Sequence, residues 1–167
     1  MTSFQVKELK NFMTKLLTTD CFDSFLLAEA SVSSQAEYTI DGHINRDFYT
    51  REELDDPQVC PYRFVRWSEI RPVCFQIIRG KRAPSRFKFV LYLAPDYVPG
   101  VLKGADPALS PEQVKALVLT IRYDGASAAL VTGTSFSTFV LDKTLDAQWD
   151  KTMRRFLEKK GIACLEK

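Results

Sequence analysis

The sequence predicts an α+β fold: an antiparallel sheet of about five strands with helices packed on its inner face. Three observations carry this. Two pairs of period-two segments, over 25–45 and 114–135, are each joined by turn residues, so consecutive strands pair antiparallel. Helical spacing occurs at the N-terminus, over 68–79 and over 145–160. No strand–helix–strand alternation is present from which a parallel sheet could be built.

Each element has a local reason. Val6, Leu9, Phe12, Met13, Leu16 and Leu17 fall on one helical face, which predicts an amphipathic helix over 5–18. Leu26, Ala28, Ala30 and Val32 then share one face of a strand, and Ala36, Tyr38, Ile40 and Ile44 share one face of a second. Ser33-Ser34-Gln35 forms the turn of this hairpin. Thr50-Arg-Glu-Glu53 has the form of a capping box and starts a short helix, broken at Pro57 and Pro61. Ser68 is placed to cap the middle helix, whose stripe is Ile70, Val73, Cys74, Ile77 and Ile78, with Gly80 after its end.

Strand 87–94 is mostly apolar on both faces, which predicts a central strand buried on two sides. Residues 95–111 carry Pro95, Pro99, Pro107, Pro111, Gly100 and Gly104 and read as one long irregular loop. Asp124-Gly125 between two β-rich runs is a strong hairpin signal. Leu145, Trp149, Thr152, Met153, Phe156 and Leu157 give the C-terminal helix, which with the first helix covers the sheet. Trp149, Met153 and Phe156 are its expected buried anchors.

The chain of 167 residues fits one domain, 1–167, large enough to fold without disulfides or metal. Its net charge is 23 − 21 = +2, so no global basic field argues for nucleic acid or an acidic membrane. The N-terminus lacks the apolar region of a signal peptide, and no apolar run approaches the ~20 residues of a membrane span. Cys21, Cys60, Cys74 and Cys164 contain no CxxC pair and are expected as reduced thiols in a cytoplasmic protein.

Two segments could carry chemistry. His43 is the single histidine, and in Asp41-Gly42-His43 an acid stands two residues from the imidazole, on the same side of an extended strand. That arrangement suits a small hydrolase or transferase. The solvent-facing side of a hairpin strand would look the same, and no nucleophile is tied to the pair by spacing. His43 with Asp41 and Asp47 is too sparse for zinc or iron, so no metal and no cofactor is expected. Gly133-Thr134-Ser135-Phe136-Ser137 lacks the second glycine of a nucleophile elbow, and its hydroxyls are expected at strand edges and turns.

The second segment is the stretch 79–88, where Arg79, Lys81, Arg82, Arg86 and Lys88 make five of ten residues cationic. Arg79, Lys81, Arg82 and Arg86 could together grip an anion, while a solvated connector after a helix would have the same composition. Phe87 and Phe89 share their face with Leu91 and Leu93, which assigns them to the core and argues against base stacking.

Several stretches are spread along most of the chain: Lys10-Asn-Phe-Met13, Phe22-Asp-Ser-Phe-Leu26, Thr39-Ile-Asp-Gly-His43 with Phe48-Tyr49, and Arg79-Gly-Lys-Arg82. Further on come Ile121-Arg-Tyr123, Thr132-Gly-Thr-Ser135, and Leu141-Asp-Lys-Thr-Leu145 with Trp149-Asp150. Together they resemble an uncharacterised domain family, one of the domains of unknown function found in clostridia and related Firmicutes. The resemblance implies a stand-alone bacterial cytosolic protein and carries over no activity, cofactor or catalytic residue. The leading expectation is a non-enzymatic binding or interaction module that uses the basic loop and the nearby sheet edge, its partner a protein or an anionic ligand. The alternative is an enzyme built around Asp41 and His43.

Overall fold

Alternating apolar residues in 86–93 bury Phe87, Phe89 and Leu91 on one face, and this strand lies inside the sheet with a strand on either side. The computed structural model describes residues 1–140 and 143–167; Leu141 and Asp142 of the Leu141–Leu145 stretch lie outside them. The strands are β1 (Ser3–Val6), β2 (Phe25–Ser33), β3 (Glu37–Asp41), β4 (Val65–Arg66), β5 (Arg86–Leu93), β6 (Val114–Tyr123), β7 (Ala128–Phe136) and β8 (Cys164–Glu166). The α-helices are α1 (Leu9–Thr18), α2 (Arg51–Asp55), α3 (Trp67–Ile78), α4 (Val98–Leu102) and α5 (Thr144–Lys159). The sheet order is β3-β2-β5-β6-β7-β1-β8, with β4 also on β2, and every pairing is antiparallel. The α+β antiparallel class is as read from the sequence. The strand count is not: the described residues form eight strands rather than about five.

The three strands that periodicity missed are two to four residues long, too short to establish a period of two. Phe4 and Val6 alternate inward on β1, so the expected helix over 5–18 begins only at Leu9. β1 lies between β7 and β8, which brings both ends of the chain to one side of the sheet.

One face of the sheet carries the core. Phe25, Leu27, Ala30 and Val32 of β2 oppose Leu93, Leu91, Phe89 and Phe87 of β5, and all but Leu93 are fully buried. They do not follow the uniform alternation expected for β2, because a bulge between Leu27 and Glu29 inserts Ala28 and exchanges the faces. Leu117, Leu119 and Ile121 of β6 and Leu130 of β7 continue the layer, against which pack Phe12 and Leu16 of α1, Trp67 and Cys74 of α3, and Trp149 and Met153 of α5. Phe156 is only partly buried, meeting Phe22 and Phe25 edge-on at 5.4 and 5.9 Å.

The opposite face is less covered, so β5 is not buried on both sides as expected: Val90 and Tyr92 are half-buried, and Lys88 reaches Glu29 at 3.3 Å. α3 starts at Trp67, and Ser68 makes no capping bond. Val73 falls outside its buried stripe, facing solvent. The Pro- and Gly-rich stretch is not irregular throughout. Pro95 and Pro99 sit in the first turns of a 3₁₀ turn and of α4, whose Val98, Val101 and Leu102 enter the core.

The Asp-Gly signal marks a hairpin, with a four-residue connection at 124–127. The Asp124 carboxylate accepts the amides of Ala126 and Ser127, and Gly125 adopts φ +96°, which a side chain disfavours. Those two bonds hold the Asp124 carboxyl below its ordinary range.

Candidate functional site

The half-covered face of the sheet is closed at one end by the segment between β3 and β4. That segment is fixed at its root. The Gly42 amide donates to Ala28 O, inside the β2 bulge, at 2.9 Å, and Val65 N donates back to Gly42 O at 2.8 Å. Ile44 N donates to Arg63 O at 2.9 Å, and His43 forms a β-bridge with Phe64. Only glycine fits at the pivot, because a Cβ on residue 42 would lie 1.8 Å from Leu27 O. The expected second strand over 36–45 therefore ends at Asp41, and Ile44 leaves it.

Farther out, the Thr50–Glu53 capping box closes α2, as its sequence indicated. The Tyr62 hydroxyl donates to the Asp96 carboxylate at 2.5 Å, tying the segment to the turn before α4. That bond, chiefly, raises the Tyr62 phenol above its ordinary pKa, while Arg66 stacks 5.5 Å above the ring.

Beneath this segment lies a groove of about 990 Å³. Its apolar lining comes from Leu26, Phe64, Tyr92, Leu93, Val98, Val114 and Ala116. Phe64 is held edge-on against Tyr92 at 5.0 Å. The charged lining is one-sided: Arg46, Arg63 and Lys115 against Glu112, with His43 beside them. Arg46, Arg63 and Lys115 make no ion pair among the described residues. Lys115 is the residue that a second bulge, between Val114 and Ala116, adds to β6. Two bulges thus serve the groove, one seating Gly42 and one presenting Lys115, in keeping with the use of bulges to re-aim side chains beside binding sites.

Asp41 and His43 meet at the rim. His43 Nδ1 lies 2.6 Å from Asp41 Oδ1, and the same oxygen accepts the His43 backbone amide at 3.0 Å. The amide bond, then the ring bond, lowers the Asp41 carboxyl below its ordinary range. An ionised carboxylate only accepts, so the proton of this bond sits on Nδ1, the tautomer in which Nε2 of a neutral imidazole is an acceptor. The ring packs at 4.5 Å on Phe64. Both side chains remain open to water, His43 at 67% and Asp41 at 78%.

The basic connector stands apart from this groove. Arg79, Lys81, Arg82 and Arg86 are exposed, and none of them lines the groove. Arg86 reaches Glu37 of the neighbouring hairpin at 3.4 Å, while Arg79, Lys81 and Arg82 make no ion pair among the described residues. Arg46, Arg63 and Lys115 went unrecognised in the sequence because they lie in three separate stretches, and only the return of the chain at Gly42 and the β6 bulge bring them to one groove.

The hydroxyls near Ser135 have another explanation. Thr132 and Thr134 of β7 donate to Asp150 and Asp146 of α5, and Thr2 donates to Asp150 at 2.9 Å. Residues 132 and 134 share a strand face, and 146 and 150 lie one helical turn apart, so the pairs pin α5 to the sheet. Thr132, Thr134 and Ser135 lie on a strand, not in a turn, and the two threonines fix the helix to the sheet. No group of three or more His, Cys, Asp or Glu able to hold a metal occurs among the described residues, and no helix among them is long and apolar enough to cross a membrane.

All four cysteines are free thiols. Burial raises the thiols of Cys21 and Cys164 and pushes Cys74 up to about 12, whereas Cys60 is half-exposed on the groove wall. Because the thiolate is the reactive form, iodoacetamide is expected to modify Cys60 first and Cys74 last. Peptide mapping after timed alkylation checks the order, and early labelling of Cys74 would contradict the buried α3 face.

The chain belongs to a family of unknown function (DUF5721), whose model matches residues 15–164. No curated protein and no solved structure matches it.

Proposed function

We propose that this member of a family of unknown function is a bacterial, cytoplasmic binding module. Its ligand is a small anion with an apolar body, seated in the groove under residues 43–64. The observation that carries the reading is the lining: an apolar floor bordered by Arg46, Arg63 and Lys115, none of them neutralised by an ion pair among the described residues. A volume of about 990 Å³ is at the upper end of ordinary small-molecule pockets. Arginine grips a carboxylate or phosphate with two bonds and lysine adds a point charge, while the floor takes the apolar part.

The test uses 1-naphthyl phosphate with neutral 1-naphthol as its control. The phosphate is expected to raise the thermal midpoint by mass action, less so as sodium chloride increases, and the naphthol to act much more weakly. Arg63→Glu with Lys115→Glu should abolish the shift at little cost in stability, since both side chains are exposed. Lys81→Glu with Arg82→Glu should leave it intact. A shift lost with the second pair and kept with the first would assign the anion to the 79–88 connector instead.

A further inference from the structure

We propose that His43, oriented by Asp41, is a general base that hydrolyses a carboxylic ester bound in the groove, the ester bearing an anionic group. This inference rests on the binding reading above and adds a reaction to it. The Asp41–His43 pair has the geometry of a working base: Nδ1 is engaged at 2.6 Å by a carboxylate, and the second ring nitrogen has no partner among the described residues. The imidazole is held in place as well as paired. Its backbone amide is bound to Asp41, its main chain bridges to Phe64, its ring rests on the Phe64 ring, and the preceding Gly42 is locked in the β2 bulge.

In the step, Nε2 takes a proton from a water molecule as its oxygen bonds to the ester carbonyl carbon. The carbonyl electron pair moves to oxygen, and the resulting oxyanion is stabilised by the cations of the lining. Collapse breaks the carbon–oxygen bond to the alcohol, which leaves with the proton held on Nε2. Ester and water become acid and alcohol, and the imidazole returns neutral. Asp41 touches neither water nor ester; it is a positioning residue that fixes the tautomer and stabilises the imidazolium.

The experiment follows hydrolysis of 1-naphthyl hydrogen succinate, an ester with an aromatic body and a free carboxylate. Its binding is measured separately by competition with 1-naphthyl phosphate. The rate should follow the rising pH profile of general-base catalysis. His43→Gln should lower kcat about 100-fold or more with KM unchanged, the usual range for loss of a general base. Asp41→Asn should lower kcat about 10-fold or more, leave KM unchanged and move the pH profile to lower pH, which a merely structural role would not do. Ester that binds competitively without being hydrolysed, or is hydrolysed equally by His43→Gln, overturns the catalytic inference and leaves the groove reading standing. Failure of both naphthyl compounds to bind overturns both.

Discussion

Trp149→Ala is expected to destabilise the protein by about 3–5 kcal/mol, the range for emptying a large buried aromatic site. Trp149 is 1% exposed, contacts Phe25 at 6.4 Å between ring centres, and donates its indole N–H to Val118 O at 2.9 Å. Truncation leaves a cavity between α5 and the sheet and costs that carbonyl one partner. A loss of ~1 kcal/mol moves a domain of this size by ~2–4 °C, so the midpoint should fall by at least ~6 °C. Differential scanning calorimetry checks it. A midpoint unchanged within a degree would mean that α5 contributes nothing to the core, against the packing seen.

Gly42→Ala should be the most damaging single-methyl addition in the chain. The added carbon would fall 1.8 Å from Leu27 O and 2.9 Å from Ala28 O, both backbone atoms of a central ladder, so no side chain can swing aside. Overpacking of this kind costs about 3 kcal/mol, or more where backbone must move. The consequence reaches beyond stability, because Gly42 sets where the chain returns to bring His43 and Arg63 to the groove. At temperatures where both variants are folded, Gly42→Ala should lose affinity for 1-naphthyl phosphate while Trp149→Ala keeps it. Gly104→Ala is the control: the atoms nearest the added carbon belong to the movable end of Gln148, so little change is expected. Equal midpoints for the two alanine variants at 42 and 104 would refute the pivot.

What the sequence disclosed followed the length of the signal. The ten-residue β6, the sixteen-residue α5 and the nine-residue β7 carry enough periods to be read directly. Thr50–Glu53 was legible because a capping box is a local bond pattern, independent of the rest of the fold. The bulge at Ala28 was not, since the apolar run Phe25-Leu-Leu-Ala28 offers equal burial on either face and only pairing with β5 decides. β1, β4 and β8 exist because neighbouring strands offer an edge, which no window of two to four residues reveals. The site divides in the same way. Asp41 and His43 are two residues apart and could be seen together, whereas Arg46, Arg63 and Lys115 are joined only by the chain reversal at Gly42 and the bulge in β6. The cationic run over 79–88 was the strongest signal in composition, yet it lies outside the groove and one of its arginines is paired with Glu37. Charge density along a sequence says nothing of which charges converge.

The central claim is that the groove under residues 43–64 takes the anion. Its most direct test is a titration of isotopically labelled protein with 1-naphthyl phosphate, followed by amide and side-chain NMR shifts. The claim predicts saturable changes at His43, Arg63, Phe64, Tyr92 and Lys115, with the amides of 79–86 unmoved. Saturable changes confined to residues 79–86, with the groove residues still, would contradict it.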